Sequence, residues 1–529
     1  MTLHRYWHRL TLAVMAWSLS LGGSAATGVA APSPAAPVVT TLRVVARPAV
    51  PELQCAIVPR GAAPAASIDQ DPREMPDDDE VQAALKEASE KAVTMPTAPP
   101  PQGVLGRARA GEPYRVAIWG DSHLAAAFFT QELAKLLKLA PEQVRAGFIP
   151  ASMNRPGVRL PLRKTCVSPP WRYEPAHANA ASAAAPGPGL TSMFSAQAGA
   201  TVAWDLRNAT GVADARQVSV LIHQSAAPVQ LALSVDGEAE IPLVLSGPPG
   251  PAVIELVGDG PLSVVQVRLV SGELRLQGLA LPVPSQTAVQ MDVFGYPGAT
   301  VGGWRQASTD YLSAWFTQTP YNLVMMEFGT NEGNVKPFDA PAYEATLRES
   351  VKRMRTVFPQ AACVLIAPGD RGVLVRRSEK WKRMPASARV VADKKADKKS
   401  GKASTHSSAA KGVKGKSKNK TKSVAPVTES TAAPEANPGP ARHLLQYTRI
   451  HEDIGQIQSA VAQQYGCSVW SMLQAMGGQG GAYRWARQSP PLMARDLIHF
   501  TVLGYQQLAQ QFAQDMGWDA AQILPVSPP

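Results

Sequence analysis

A serine hydroxyl becomes a useful nucleophile only with a general base in hydrogen-bond reach and a further group that orients the base. Three short motifs in this chain could meet that need. Gly120-Asp121-Ser122-His123 follows the apolar segment 114–119 (YRVAIW) and precedes an alanine-rich apolar stretch over 124–137. A strand, a tight turn and a helix in that order expose Ser122 at the carboxyl edge of a sheet, where open α/β sheets place their ligands. Asp496-Leu497-Ile498-His499 supplies the base: two intervening loop residues let the Asp496 carboxylate reach one imidazole nitrogen while the other faces the serine. Gly329-Thr330-Asn331-Glu332 follows the apolar run 323–328 (LVMMEF), and an Asn331 side chain there can donate an N–H to an oxyanion. The N-terminus of the helix that follows Ser122 also offers backbone N–H groups to a developing oxyanion.

These residues need elements to carry them. The run 323–328 reads as a buried parallel strand, 343–358 as a helix burying Leu347, Val351, Met354 and Phe358, and 363–367 (CVLIA) as another strand. A helix over 444–464, a strand near 468–471 and a last helix from about Thr501 complete an α/β pattern. Between 195 and 285 the pattern changes. Seven short Val/Leu-rich segments, from TVAWDL to ELRLQGLAL, follow one another between Gly, Pro, Asp and Asn residues, which predicts an inserted all-β sandwich.

The ends and one insertion read differently. Residues 1–30 have a basic start, a 12-residue apolar stretch and small residues after it, which predicts a signal peptide and a periplasmic or secreted protein, with an uncleaved N-terminal membrane anchor as the alternative. The stretch 31–105 is rich in Ala and Pro and reads as linker with a short acidic-capped helix over 80–93. The formal charge of +11 is local: 371–423 holds 18 basic and 3 acidic residues, so the remainder carries −4. That excludes a pI-based argument for a nucleic-acid-binding fold. Residues 384–441 have almost no large apolar side chains and are predicted to be disordered. A weak contact with an anionic polymer is the functional reading of this Lys-rich segment, and a solvated surface insertion the plainer one. The four cysteines permit three pairings. Cys363 and Cys467, in apolar strand-like runs, fit buried thiols as well as a bridge. With no CxxC and no His–Cys cluster, neither a metal site nor a cofactor is indicated.

Taken together, the three motifs resemble those of the SGNH (GDSL-type) hydrolases. Gly120-Asp121-Ser122-His123 matches the first block, Gly329-Thr330-Asn331 the third, and Asp496 with His499 the last. The second block supplies an oxyanion-hole glycine. Its match is Phe294-Gly295-Tyr296-Pro297-Gly298-Ala299-Thr300, which assigns Gly298 by resemblance, although Pro297 stands where relatives often have Asn and Gly295 stays open as the alternative. The sandwich between the first and second blocks, with QAMGGQGGAYRW (474–485) and DLIHFTVLGYQQLA (496–509), is similar to the periplasmic peptidoglycan and carbohydrate O-acetylesterases.

The resemblance covers 112–150, 288–370 and 442–516. It implies a three-layer α/β/α fold in parts 106–160, 288–383 and 442–518, around the sandwich 161–287, in a monomer that takes no specific nucleic acid. It implies a serine esterase that removes O-acetyl groups from cell-wall or exported polysaccharide. Ser122, His499 and Asp496 would be the triad, with the Ser122 and Gly298 N–H groups and Asn331 as the oxyanion hole. A polysaccharide O-acetyltransferase with the same triad and a non-catalytic glycan-binding scaffold are the alternatives. Of the neighbouring residues, Asp121 reads as structural, His123 as either a supporting contact or turn filler, Glu332 as an exposed strand-end carboxylate ahead of a substrate contact, and Trp304 as packing ahead of a substrate-facing role. The sandwich is carbohydrate-binding-module-like, yet Trp204 is the lone aromatic between Ser195 and Val283, which favours a structural or substrate-shaping role.

Overall fold

The computed structural model describes residues 36–55, 73–89, 103–152, 157–178, 185–208, 210–317, 320–335, 337–375 and 444–525. The predicted signal peptide and the Lys-rich insertion lie outside them. Six parallel strands form one sheet, in the spatial order Ser468–Ser471, Ala362–Ala367, Leu323–Glu327, Tyr114–Gly120, Val289–Gly295, Val144–Arg145. Side chains alternate between its faces with the period of two that a strand imposes. Val116, Ile118, Met325, Val364 and Ile366 enter one apolar core, together with Phe129, Leu508 and Phe512. Ala117, Trp119, Val324, Met326 and Leu365 enter another, together with Leu347, Val351 and Ile454. Helices Phe128–Leu136 and Val502–Met516 thus cover one face, and Ala340–Val357 and Gln446–Tyr465 the other. The result is the expected mixed α/β arrangement with three layers around a parallel sheet.

Two further sheets share a third core. The strand order in one is Val38–Val44, Gly250–Gly258, Gln217–Gln224, Leu274–Ala280, Thr191–Ser195, Arg172–Pro175, with Phe148–Pro150 also paired to Leu274–Ala280. The other runs Ile241–Leu245, Val229–Val235, Val264–Ser271, Thr201–Asp205, Lys164–Val167. Alternate residues of both, among them Val220, Ile254, Leu276, Leu231, Val267 and Trp204, pack together. All seven segments expected as strands are strands.

Three expectations change. Residues 31–105 are not linker throughout: Val38–Val44 pairs in parallel with Gly250–Gly258 along its whole length and buries Val44. The alternating VVTTLRV run is a strand that finds its partner more than 200 residues away, which the Ala/Pro content around it masks. Chain entry into the antiparallel sheets comes before residue 161, because Phe148–Pro150 already pairs there. The helix expected over 124–137 is two helices, Ser122–Ala125 and Phe128–Leu136, broken at Ala127 where φ is 60°.

Both cysteine pairs are disulfides, Cys55–Cys166 and Cys363–Cys467. The second ties Ala362–Ala367 to the start of its sheet neighbour Ser468–Ser471 and closes a separation of 104 residues. Removing that cross-link frees the unfolded chain more than the folded one. The Cys363→Ala/Cys467→Ala double variant is expected to lose about 2–4 kcal/mol of stability, read as a lower denaturation midpoint in guanidinium chloride.

Candidate active site

Parallel strands bring their carboxyl ends to one edge, and each motif follows such an end. Ser122 comes two residues after Gly120, Gly298 three after Gly295, and Asn331 four after Glu327. The Asp496–His499 turn enters the same edge from the helix side, just before Val502–Met516.

The structure brings Ser122, His499 and Asp496 into one chain of hydrogen bonds. His499 Nε2 lies 2.9 Å from Ser122 Oγ, and His499 Nδ1 lies 2.7 Å from Asp496 Oδ2. The other Asp496 oxygen accepts the backbone N–H groups of Ile498 and His499 at 2.9 and 3.0 Å, which folds the turn. That turn also holds Leu497 at φ 56°, a costly conformation for a branched residue, with its side chain fully buried. Partial burial pushes the Asp496 carboxyl upward, but the His499 side chain and the two backbone N–H groups outweigh it and hold the group at about 2. The Asp496 hydrogen bond raises His499 above its usual value against the opposing effect of burial. The carboxylate therefore stays ionised and the imidazole is a stronger base than a free one. A neutral imidazole in this geometry can take the serine proton and return it to a leaving group.

His123 is a second imidazole 5.5 Å from His499 between ring centroids. It is buried, its Nδ1 lies 3.2 Å from the Tyr505 hydroxyl, and burial brings it down to about 3. It is a neutral filler of the turn, so His499 is the basic member of the pair. Asp121 is buried and structural: it caps Ser122–Ala125 by accepting the His123 N–H at 2.9 Å, and burial pushes it up to about 6.

The two candidate oxyanion glycines separate cleanly. A Cβ on Gly295 would sit 2.6 Å from the Ala125 nitrogen and the Leu124 Cβ, so that glycine is there for close packing against the Ser122 helix. Gly298 is exposed, has φ 82°, and has open space around the place of a Cβ. Of the two, only Gly298 has open space beside its backbone. Asn331 is oriented beside it: Nδ2 donates to the Ala299 carbonyl at 2.8 Å and to Asp121 Oδ2 at 3.3 Å. Both amide hydrogens are thus engaged, and an oxyanion would take the longer bond's place.

Several participants escaped sequence reasoning. Glu332 is no exposed carboxylate. It accepts the Val301 and Gly329 N–H groups at 2.8 and 3.0 Å, ties the two loops that carry Gly298 and Asn331, and is raised by burial to about 7. Glu327 ends the Leu323–Glu327 strand and accepts the Asp121 N–H at 3.1 Å, and burial and the neighbouring Asp121 push its carboxyl well above the usual carboxylate range. A single acid in the run LVMMEF is the signal that could have found it. Trp304 is fully buried and packs edge-on against Trp119 at 5.1 Å, as expected of a core residue. Among the described residues, no group of three or more His, Cys, Asp or Glu is arranged to hold a metal ion.

The sequence matches no protein-family model and no curated protein. Solved structures do match. One is a peptidoglycan O-acetylesterase, at 19% identity and TM-score 0.50, covering 77% of this chain and 91% of that one. A lipase/acylhydrolase from Enterococcus faecalis matches at 13% identity and TM-score 0.24, covering 45% of this chain and 80% of that one. A family two carbohydrate esterase from Cellvibrio japonicus matches at 11% identity and TM-score 0.22, over 67% and 98%. Only the first superposes well enough to bear on the architecture, and at its level of identity it speaks for the fold. On that fold and on its motif blocks, the chain resembles the SGNH-type hydrolases.

Proposed function

We propose that this protein is a serine esterase that removes O-acetyl groups from a cell-wall or exported polysaccharide. The observation that carries the reading is the unbroken Asp496–His499–Ser122 relay at 2.7 and 2.9 Å. Ser122 Oγ attacks the acetyl carbonyl and His499 Nε2 takes its proton. The tetrahedral oxyanion is held by the Ser122 and Gly298 N–H groups and by Asn331. His499 then protonates the departing sugar oxygen, leaving acetyl-Ser122. Water attacks this ester with His499 again as base, and acetate leaves. A glycan hydroxyl in the place of water would make the same site a transferase.

The two further sheets, antiparallel apart from the Val38–Val44 pairing, are read as an inserted sandwich that shapes access to the site. Trp204, the aromatic a sugar platform would need, is buried instead. Two disulfides support an oxidising compartment and hence the predicted periplasmic or secreted location. Shared architecture with a peptidoglycan O-acetylesterase makes O-acetylated peptidoglycan the first polymer to test.

Purified protein assayed against O-acetylated peptidoglycan, acetylated xylan and acetylated alginate should release acetate from at least one. Acetyl-glycan formed in preference to acetate would move the assignment to a transferase. No acetyl chemistry on any of them, nor on an activated acetyl ester, would favour the scaffold reading. Asn331→Ala is expected to lower kcat by about 10²–10³-fold with little change in KM, because the lost donor acts on the oxyanion rather than on the bound ester.

A further inference from the structure

The loop after Ala362–Ala367 carries an arginine, Arg371, whose Nε and Nη1 have no acceptor among the described residues. Five hydrogen bonds hold the loop around it. Gly369 offers its carbonyl to His451 Nδ1 at 2.7 Å. Asp370 is buried and accepts from the Thr448 hydroxyl and from the Ala482 N–H at 3.0 Å. The Gly372 N–H donates to the Leu497 carbonyl at 2.9 Å, inside the Asp496–His499 turn, and the Val373 N–H donates to the Tyr483 hydroxyl at 2.8 Å. Arg371 is thereby fixed between helix Gln446–Tyr465 and the turn that carries the proposed base.

Its guanidinium lies over the Tyr447 ring, 4.1 Å from the centroid. Nε and Nη1 are buried without a hydrogen-bond partner, while the side chain as a whole stays partly exposed. Buried charged donors are normally paired, because leaving them unpaired forfeits their hydration. The charge lies within electrostatic reach of both His499, whose imidazolium it disfavours, and Asp496, whose carboxylate attracts it. Two buried donors without an acceptor cost the fold, and an anion beside them relieves that cost.

We propose that Arg371 forms a subsite for a carboxylate on the acetylated glycan, so that the preferred substrate carries an acidic sugar next to, or on, the acetylated unit. The flat guanidinium, stacked on Tyr447, suits the two oxygens of a carboxylate. This subsite builds on the assignment of Ser122 and His499 as the reacting pair; Arg371 is the first residue of the basic stretch 371–423, and the subsite needs none of the lysines of 384–441.

Two arms test it in the full-length protein. The first compares kcat/KM on acetylated oligogalacturonate and on its methyl-esterified, uncharged form, for wild type, Arg371→Gln and Arg371→Lys. Taking the ratio cancels any effect of Arg371 on His499 that acts on both substrates alike. The expected result is a wild-type preference for the acid that falls about ten-fold or more in Arg371→Gln, mainly through KM, and partly returns in Arg371→Lys. An unchanged ratio, or a wild-type preference for the neutral form, overturns the proposal.

The second arm measures binding of unacetylated trigalacturonate by calorimetry to Ser122→Ala protein, with and without Arg371→Gln. Binding that needs Arg371 supports the subsite even if wild type shows no turnover, in which case the esterase reading fails alone. Binding indifferent to Arg371, or no binding, sinks the subsite even if wild type is an active esterase. Should Arg371→Gln not fold, Arg371→Lys decides both arms: its charge without the planar fork must weaken acid preference and binding.

Discussion

Ser122→Ala protein should hydrolyse an activated acetyl ester with kcat lower by about 10⁶-fold, the scale seen when the serine of a comparable triad is removed. The size follows from the chemistry: without Oγ no acyl-enzyme forms, and His499 can at best activate a water that the site is not built to hold. The oxyanion donors remain, so a residual rate of about 10³–10⁴ over uncatalysed hydrolysis is expected. The fold should be intact. Ser122 Oγ bonds to His499 Nε2, whereas the turn around it is capped by Asp121 through the His123 N–H. A thermal midpoint close to wild type, alongside lost activity, separates loss of a nucleophile from loss of structure.

Asp496→Asn is expected to cost about 10⁴ in kcat at neutral pH. Asn retains an oxygen that can accept the Ile498 and His499 N–H groups, so the turn can survive. What it lacks is the negative charge that holds the Nδ1–H tautomer and stabilises the imidazolium. The pH profile carries the sign. Hydrolysis needs neutral His499, so activity rises with pH through the His499 pKa. Asp496 raises that pKa in the wild type. Its replacement moves the acid limb to lower pH, and the deficit relative to wild type narrows as the medium is acidified. Asp496 itself, held at about 2, stays charged throughout that range. A deficit that widens towards acid would mean that Asp496 acts otherwise than through His499.

The hydrogen-bonded chain of Ser122, His499 and Asp496 was legible because its signals are local. Ser122 is tied to the strand end before it, and Asp496 and His499 are three residues apart in one turn. Parallel strands such as Leu323–Glu327 and Ala362–Ala367 were legible because burial on both faces demands continuous apolar runs. What escaped depends on partners distant in sequence. Val38–Val44 is a strand only because Gly250–Gly258 accepts it. The choice between Gly295 and Gly298 turned on where the Ser122 helix packs, and the cysteine pairing on which strands are neighbours. Glu332, Glu327 and Arg371 take their character from burial, which residue type alone does not reveal.

Rapid-quench mass spectrometry with p-nitrophenyl acetate tests most directly whether Ser122 carries the acyl group. Wild type should show a burst of nitrophenol and one acetyl group on the peptide containing Ser122, accumulating further in Asp496→Asn if deacylation slows more than acylation. Acetyl found on another residue, or wild-type turnover by Ser122→Ala, would contradict it.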